Sequence, residues 1–340
     1  MITPDSPSQH AVTAAPNLRF DRLEWAGAFG DLGTLIPFVV AYITAAKIEP
    51  LGILLTFGIC MVVVGLYYRT PFPVQPMKAI GAAAATQVQL GVTAGTMAAA
   101  GLVTGVVWLI LGLTGAARRI ARLLDRPVAI GIILGLGIGF MLEGVRMMSG
   151  AWVLSGVALP VALLLIDSRR FPVMFLLLAG GAAYQLALSP ALLRDLALME
   201  PGFRLPSLTW PLIGWNELAV GAVALALPQV PLTLGNAIVA ITEENNRLFP
   251  QRPVDERKVA VSTGIMNIFS SAFGGVPMCH GAGGMAGHVR FGARTGGAPV
   301  ILGVLLIVLA LFFSGSIAAL LRIFPTAVLG VILFLTGAQL

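Results

Sequence analysis

The sequence predicts an all-α polytopic membrane protein made of two inverted halves, with about twelve segments. Two of these are half-helices preceded by short extended stretches. Three observations carry the prediction. Of the 340 residues, 57% are hydrophobic and only 11% charged, with a mean hydropathy of +0.92. A water-soluble domain carries about 25% charged residues. Apolar runs close to the ~20 residues that cross a hydrocarbon core recur along the whole length. Two of these runs are broken by near-copies of one motif, Pro73-Val74-Gln75-Pro76-Met77-Lys78-Ala79-Ile80-Gly81 and Gly275-Val276-Pro277-Met278-Cys279-His280-Gly281-Ala282-Gly283-Gly284. Paired interruptions at matching places in two halves point to a binding site near the bilayer midplane.

Taken in order, residues 1–19 form a polar, Pro/Ser/Ala-rich tail, expected to be flexible and cytoplasmic. No basic stretch precedes an apolar one there, so the tail is not a secretory signal. Full spans are expected at 23–42, 51–67, 97–116, 127–147, 150–166, 171–189, 217–241, 259–274, 298–316 and 321–340. The half-helices are 78–95, which is Gly/Ala-rich, and 281–290, which is too short to cross alone. Extended lead-ins at 70–77 and 275–280 complete each crossing. Such backbone is tolerated at that depth only inside protein or beside a watery cavity. Residues 190–216 link the halves on the extracellular side, with Trp210 and Trp215 as interface anchors. Seven segments precede this linker, so the second half starts from the opposite side and its motif is inverted.

The basic residues orient the chain. Of 21, Lys78 falls within the membrane, Lys47, Arg146, Arg194, Arg204 and Arg322 fall outside, and the other fifteen fall inside when the N-terminus is cytoplasmic. The positive-inside rule expects that bias, and a cell (inner) membrane is the expected location. The net charge of +6 is therefore spread between spans and does not form a nucleic-acid face. Cys60 and Cys279 both lie in apolar runs and are expected as small packing residues. Neither metal-ligand spacing nor a nucleophile–base pair stands out, so no cofactor and no enzyme chemistry is expected.

The chemistry is expected where the half-helices begin. Each N-terminus carries unpaired N–H groups and a partial positive charge, and two facing each other make an anion site. The expected donors are the amides of Lys78 and Ala79 on one side and of Gly281, Ala282 and Gly283 on the other. Small residues let an anion approach the backbone, although Gly-Ala runs also serve close helix packing. Met77 and Cys279 flank the breaks and complete the candidate substrate site. Lys78 is a charge at membrane depth, to attract the anion or to pair with a carboxylate. His280 offers a hydrogen bond to an oxyanion, a coupled proton, or a packing role. In Glu24-Trp-Ala-Gly-Ala-Phe-Gly-Asp31-Leu-Gly-Thr34, Glu24 is expected at the solvated inner interface. Asp31 lies deeper, as a proton carrier or a structural partner, with Thr34 in support. Gln229 and Thr233, four apart, share a helix face. They and Gln75 suit oxyanion selection by geometry, with Asn236 in support. Glu243, Glu244, Asp255 and Glu256 are expected on a solvated charged face.

At these residues the chain resembles the molybdate transporter family related to the sulfate permeases. The resemblance rests on Gly27-Ala-Phe-Gly-Asp31-Leu-Gly-Thr34-Leu-Ile-Pro37, Pro71-Phe-Pro73-Val-Gln75-Pro76-Met77-Lys78-Ala79, Pro228-Gln229-Val-Pro231-Leu-Thr233, and Pro277-Met278-Cys279-His280-Gly281-Ala-Gly-Gly284 continuing to Arg290-Phe-Gly-Ala-Arg294-Thr-Gly296. It implies an inverted seven-plus-seven fold. A core domain (20–126 and 217–297) holds the anion between the third and tenth segments and moves against a gate domain (127–189 and 298–340). Against the fourteen segments implied, twelve are counted, so the gate is expected to be incomplete or truncated. A glutamine at 229, where related sodium-driven carriers have a carboxylate, argues against a sodium site. The expected function is secondary active import of a tetrahedral oxyanion, molybdate first, by alternating access. A sulfate transporter or a passive oxyanion channel or uniporter is the alternative. The expected partners are the oxyanion and the bilayer, with a coupled proton and a homodimer as further options and no nucleic acid.

Overall fold

A computed structural model describes residues 18–44, 46–86, 92–121, 126–166, 168 and 172–340. The expected tail therefore lies almost wholly outside the described residues. Helix α1 (Arg22–Thr44) starts at Asp21, whose carboxylate accepts the N–H groups of Leu23 and Glu24 at 3.0 and 3.2 Å. A 3-10 turn at Phe29–Asp31 tightens it midway. Helix α2 (Pro50–Tyr68) begins on a proline, which gives up an N–H that has no helical partner in any case. It ends where Arg69 turns left-handed at φ 58°. The lead-in then runs into β1 (Gln75–Pro76) and the half-helix α3 (Lys78–Thr86). Helix α4 (Ala94–Leu113) opens with a reciprocal Thr93–Thr96 capping box, and the short α5 (Ala116–Ala121) follows it.

Helices α6 (Arg126–Met148) and α7 (Trp152–Leu165) are separated at Ala151, whose φ,ψ of −153°, 76° leave the helical region. Helix α8 (Val173–Leu188) bends by 104° into α9 (Pro190–Ala197). The expected linker thus opens with a helix, because Pro190 breaks α8 yet suits the first turn of α9. Helix α10 runs Trp215–Leu248 and continues past the 241 expected from sequence. It accommodates Pro228 and Pro231 by winding as π-helix over Gly221–Ala226 and Thr233–Ala240. Then come α11 (Glu256–Ala272), β2 (Met278–Cys279), the half-helix α12 (Ala282–Arg290), α13 (Gly297–Leu321) and α14 (Thr326–Gln339).

Among the described residues six helices are long and apolar enough to cross a bilayer, with Ile133–Leu165 of α6 and α7 counted as one, and seven if the bent pair α8–α9 is also one span. Their outward faces carry a stripe such as Ile130, Leu134, Ile138 and Leu142 on α6, all exposed. Such a surface suits lipid as its solvent.

The two halves interleave. Helix α2 packs on α13, α4 on α11 and α6 on α14. Glycines make the approach close enough. A Cβ on Gly58 would lie 2.6 Å from the Gly303 carbonyl oxygen, and one on Gly144 would lie 2.7 Å from that of Gly330. In lipid, where apolar surface gains little from leaving its solvent, such backbone proximity is what holds helices together.

Candidate functional site

The site is built on the two breaks. Strands β1 and β2 pair antiparallel, Gln75 opposite Cys279 and Pro76 opposite Met278. The Met77 N–H donates to the Pro277 carbonyl at 3.0 Å. Each Pro-Met step therefore meets the other crosswise, and the register is centred on the repeated dipeptide. Both methionines are fully buried. Proline carries no N–H, so a ladder of this kind stays short. Half-helix α12 has nine residues, about 13 Å at ~1.5 Å per residue, or roughly half the hydrocarbon core; of the expected half-helix 78–95, residues 87–91 lie outside the described residues.

The two starts differ. Helix α3 begins directly after Met77, whereas Cys279, His280 and Gly281 stay extended before α12. Gly81 and Gly284 close the first turns onto the carbonyls of Met77 and Gly281, each at 2.9 Å. The terminal amides are therefore those of Lys78, Ala79 and Ile80 on α3, and of Ala282 and Gly283 on α12. Ala79, expected as an open donor, instead gives its N–H to Gln229 Oε1 at 2.8 Å. A buried terminal amide must find an acceptor, and α10 supplies one. The Gln229 amide nitrogen in turn donates to Thr233 Oγ1 at 3.0 Å, across the i,i+4 spacing anticipated from sequence.

A second cluster surrounds the first turn of α12. Gln75 donates through Nε2 to Asp31 Oδ1 at 2.5 Å and to Thr34 Oγ1 at 2.9 Å. The Thr34 hydroxyl also bonds the Asp31 carboxylate. A Cβ on Gly281 would overlap Gln75 Oε1 and lie 3.3 Å from Asn236 Nδ2, and one on Gly284 would lie 3.0 Å from Asp31 Oδ2. Gln229, Thr233 and Asn236 all lie on α10, so one helix touches both half-helix starts. Among the described residues five buried atoms of this region have no hydrogen-bond partner: Asp31 Oδ2, Gln75 Oε1, Asn236 Oδ1, Lys78 Nζ and Tyr42 Oη, the last beside Gly81. Leaving such groups unpaired costs about 1–3 kcal/mol each. They mark a place for a guest, a proton or water.

Among the described residues Lys78 has no ion-pair partner. Its ammonium sits over the Phe140 ring, 4.0 Å from the centroid. The same ring packs against Gly283, where a Cβ would overlap it. Phe140 belongs to α6, so a residue of another segment plugs the space in front of both half-helices. A phenylalanine in an apolar run carries no signal of its own, so Phe140 is not legible in the sequence.

His280 is fully buried and both ring nitrogens are engaged. Nδ1 donates to the Pro73 carbonyl at 2.8 Å, and Nε2 accepts from the Ser262 hydroxyl. Its ring also meets Phe72 and Tyr68 edge-on. It cross-braces the lead-ins. Cys279 and Cys60 are free and buried.

Three further supports were not legible. Asn267 of α11 accepts the Met278 N–H at 3.0 Å and donates to the Met278 carbonyl at 2.6 Å, so it acts as a neighbouring strand would. His288 ties α12 to α1 through the Gly27 carbonyl at 2.8 Å. Glu24, expected to be solvated, is 1% exposed. Its carboxylate accepts the N–H groups of Arg294 and Thr295 at 2.9 Å each, and of Ala298 at 3.2 Å. It caps the start of α13 across the molecule, the placement a helix N-terminus favours for an acid. Glu244 also departs from the expected solvated face. It is 1% exposed and held by Arg247 at 2.7–3.0 Å, which replaces the water that a buried charge loses.

This architecture defines the class: a multi-pass membrane protein with a known transporter fold. It resembles the transmembrane domain of the cyanobacterial bicarbonate transporter BicA with a TM-score of 0.57 at 16% identity, over 95% of this chain and 89% of that one. It resembles SLC26A9 with a TM-score of 0.55 at 11% identity, over 93% of this chain and 57% of that one. Sequence then narrows the class, and the chain belongs to the molybdate transporter family. The family model described as molybdate transporter of MFS superfamily matches residues 23–140 and 221–340. Molybdate transporter 2 of Arabidopsis thaliana is 30% identical over 93% of this chain and 77% of its own. Molybdate transporter 1 of Chlamydomonas reinhardtii is 28% identical over 93% and 82%.

Proposed function

We propose that this chain imports molybdate across a cell (inner) membrane, N-terminus inside, by secondary active transport. The core (20–126 and 217–297) moves against the gate (127–189 and 298–340), and 190–216 joins the halves outside. The anion lies between the starts of α3 and α12. Lys78 supplies its charge, the amides of Lys78, Ala282 and Gly283 face it, and the second Gln229 amide hydrogen is directed by Thr233. The observation that carries this reading is the Lys78 ammonium, buried without a hydrogen-bond partner beside two helix starts bridged Pro-Met to Pro-Met.

Charge balance adds the coupled ion. Each helix start contributes about half a positive charge. Two starts and one ammonium offset a dianion, but not a dianion plus an ionised Asp31. A proton on Asp31 Oδ2 removes that excess and turns an unpartnered acceptor into a donor. Proton and anion then move together.

The test is tracer molybdate uptake into liposomes holding the purified protein, with and without an inward proton gradient. Tungstate and sulfate serve as competitors. Gradient-driven accumulation that Asp31→Asn uncouples, while molybdate binding by calorimetry persists, is the expected result. Uptake that only equilibrates across the membrane and ignores the gradient would mean a passive pathway. Stronger competition by sulfate than by tungstate would make sulfate the substrate.

A further inference from the structure

A groove of about 660 Å³ runs between α2 and α11, and Tyr68 and Ser262 of its lining touch His280 on the second lead-in. That volume is within the ~300–1,000 Å³ of ligand pockets. Its floor holds the buried Cys60 and Met266, and its rims the exposed Val63 and Ile265. Polar groups gather at one end, where α11 begins with Asp255, Arg257 and Lys258 and α2 ends with Tyr67 and Tyr68. The Asp255 carboxylate accepts the Lys258 N–H at 2.8 Å and so is turned into the helix as its cap. The side chains of Arg257 and Lys258 are exposed. Arg69, also exposed, follows Tyr68 at the same end. Helix α2 is long and apolar enough to cross the bilayer, so the groove opens to hydrocarbon along its length and to headgroups at its basic mouth.

We propose that this groove binds one anionic phospholipid, with an acyl chain between α2 and α11 and the phosphate at Arg257 and Lys258. The charge pattern selects the occupant. An apolar trough ending in two cations near two tyrosines matches a lipid with a net negative headgroup, whereas a zwitterionic headgroup brings its own cation beside Arg257 and Lys258. Its two cations and its trough take no part in the proposed anion site, and its test does not depend on transport.

The experiment uses the full chain, delipidated in detergent. Native mass spectrometry and thermal melting are followed on adding phosphatidylglycerol, phosphatidylcholine with the same acyl chains, or inorganic phosphate alone. Phosphatidylglycerol is expected to give a one-to-one adduct and a higher melting temperature, and the other two neither. Removing each charge, as Arg257→Gln and Lys258→Gln, weakens that binding roughly fivefold, from the contribution of one basic residue at an anionic lipid surface. Val63→Trp fills the trough from an exposed position and abolishes the adduct with both cations still present. Equal responses to the two lipids, or a phosphatidylglycerol response that survives all three substitutions, would show annular lipid only and overturn the proposal. An equal shift from inorganic phosphate would also overturn it, because the trough would then play no part.

Discussion

Lys78 stands between an aromatic ring and a proposed guest, and the two compete for it. A desolvated cation–π contact is worth about 2 kcal/mol, and a charge-assisted hydrogen bond about 1.5–3 kcal/mol. Phe140 therefore holds the ammonium in place without capturing it. Lys78→Met is expected to weaken molybdate binding between about tenfold and a hundredfold. Phe140→Leu removes the competitor and is expected to tighten binding several-fold, up to about thirtyfold. Calorimetry reads both. Weaker or unchanged binding in Phe140→Leu would mean that the ring is no plug. Gly281→Val drives a side chain into Gln75 Oε1 and is expected to abolish binding while the helical circular dichroism is retained. At this scale the sequence reveals residue types and little else. A lysine at membrane depth and a glutamine between two prolines announce themselves. Phe140, one apolar residue among many on α6, does not, and neither does the pairing of Ala79 with Gln229 across 150 positions.

Two elements owe their shape to side chains that satisfy backbone groups a few residues to three turns away. The second lead-in is extended because Asn267 satisfies both backbone groups of Met278, and because Ser270 bonds the Val276 carbonyl at 2.7 Å. Asn267→Leu leaves a buried N–H and C=O without partners, at about 1–3 kcal/mol each. A lower melting temperature and lost molybdate binding are expected together. A variant that binds normally would show that the lead-in holds itself. The start of α1 is more modest. Burial opposes ionisation of Asp21, but the N–H groups of Glu24 and Leu23 and the Arg19 guanidinium outweigh it and hold the carboxyl below its ordinary range. The capping contribution is therefore full at neutral pH and lost as pH falls through that depressed value. Being partly exposed, it is worth at most about 1 kcal/mol. Asp21→Asn should lower stability slightly at neutral pH, by at most about 1 kcal/mol, and lessen the acid sensitivity of melting. The breaks at Pro76-Met77 and Pro277-Met278 were readable because proline and glycine interrupt an apolar run. The π-winding of α10 was not, since helix pitch depends on how the freed carbonyls are rehoused, and composition does not record that.

For the whole molecule, the organising fact is that its close helix pairs join the first half to the second. One helix separates packing from exposure. On α6, a Cβ at Gly144 would lie 2.7 Å from the Gly330 carbonyl oxygen, while Gly135 has nothing within 4 Å. Gly144→Leu is expected to destabilise by about 1–3 kcal/mol or more through overpacking. Gly135→Leu should be neutral or slightly stabilising, by up to about 1 kcal/mol of helix propensity. Equal melting temperatures for the two would remove the α6–α14 contact from the account. The repeated Pro-Met motif suggested two related halves, and their interleaving is legible only in three dimensions, where Gly58 meets Gly303. The crosswise bridge between Pro76 and Met278 carries a consequence for biosynthesis. A ribosome adds roughly 5–20 residues per second, so the first strand waits on the order of 10–40 seconds for its mate. Throughout that interval the nascent half must shelter an unpaired edge and glycine-lined faces in lipid or in the insertion machinery.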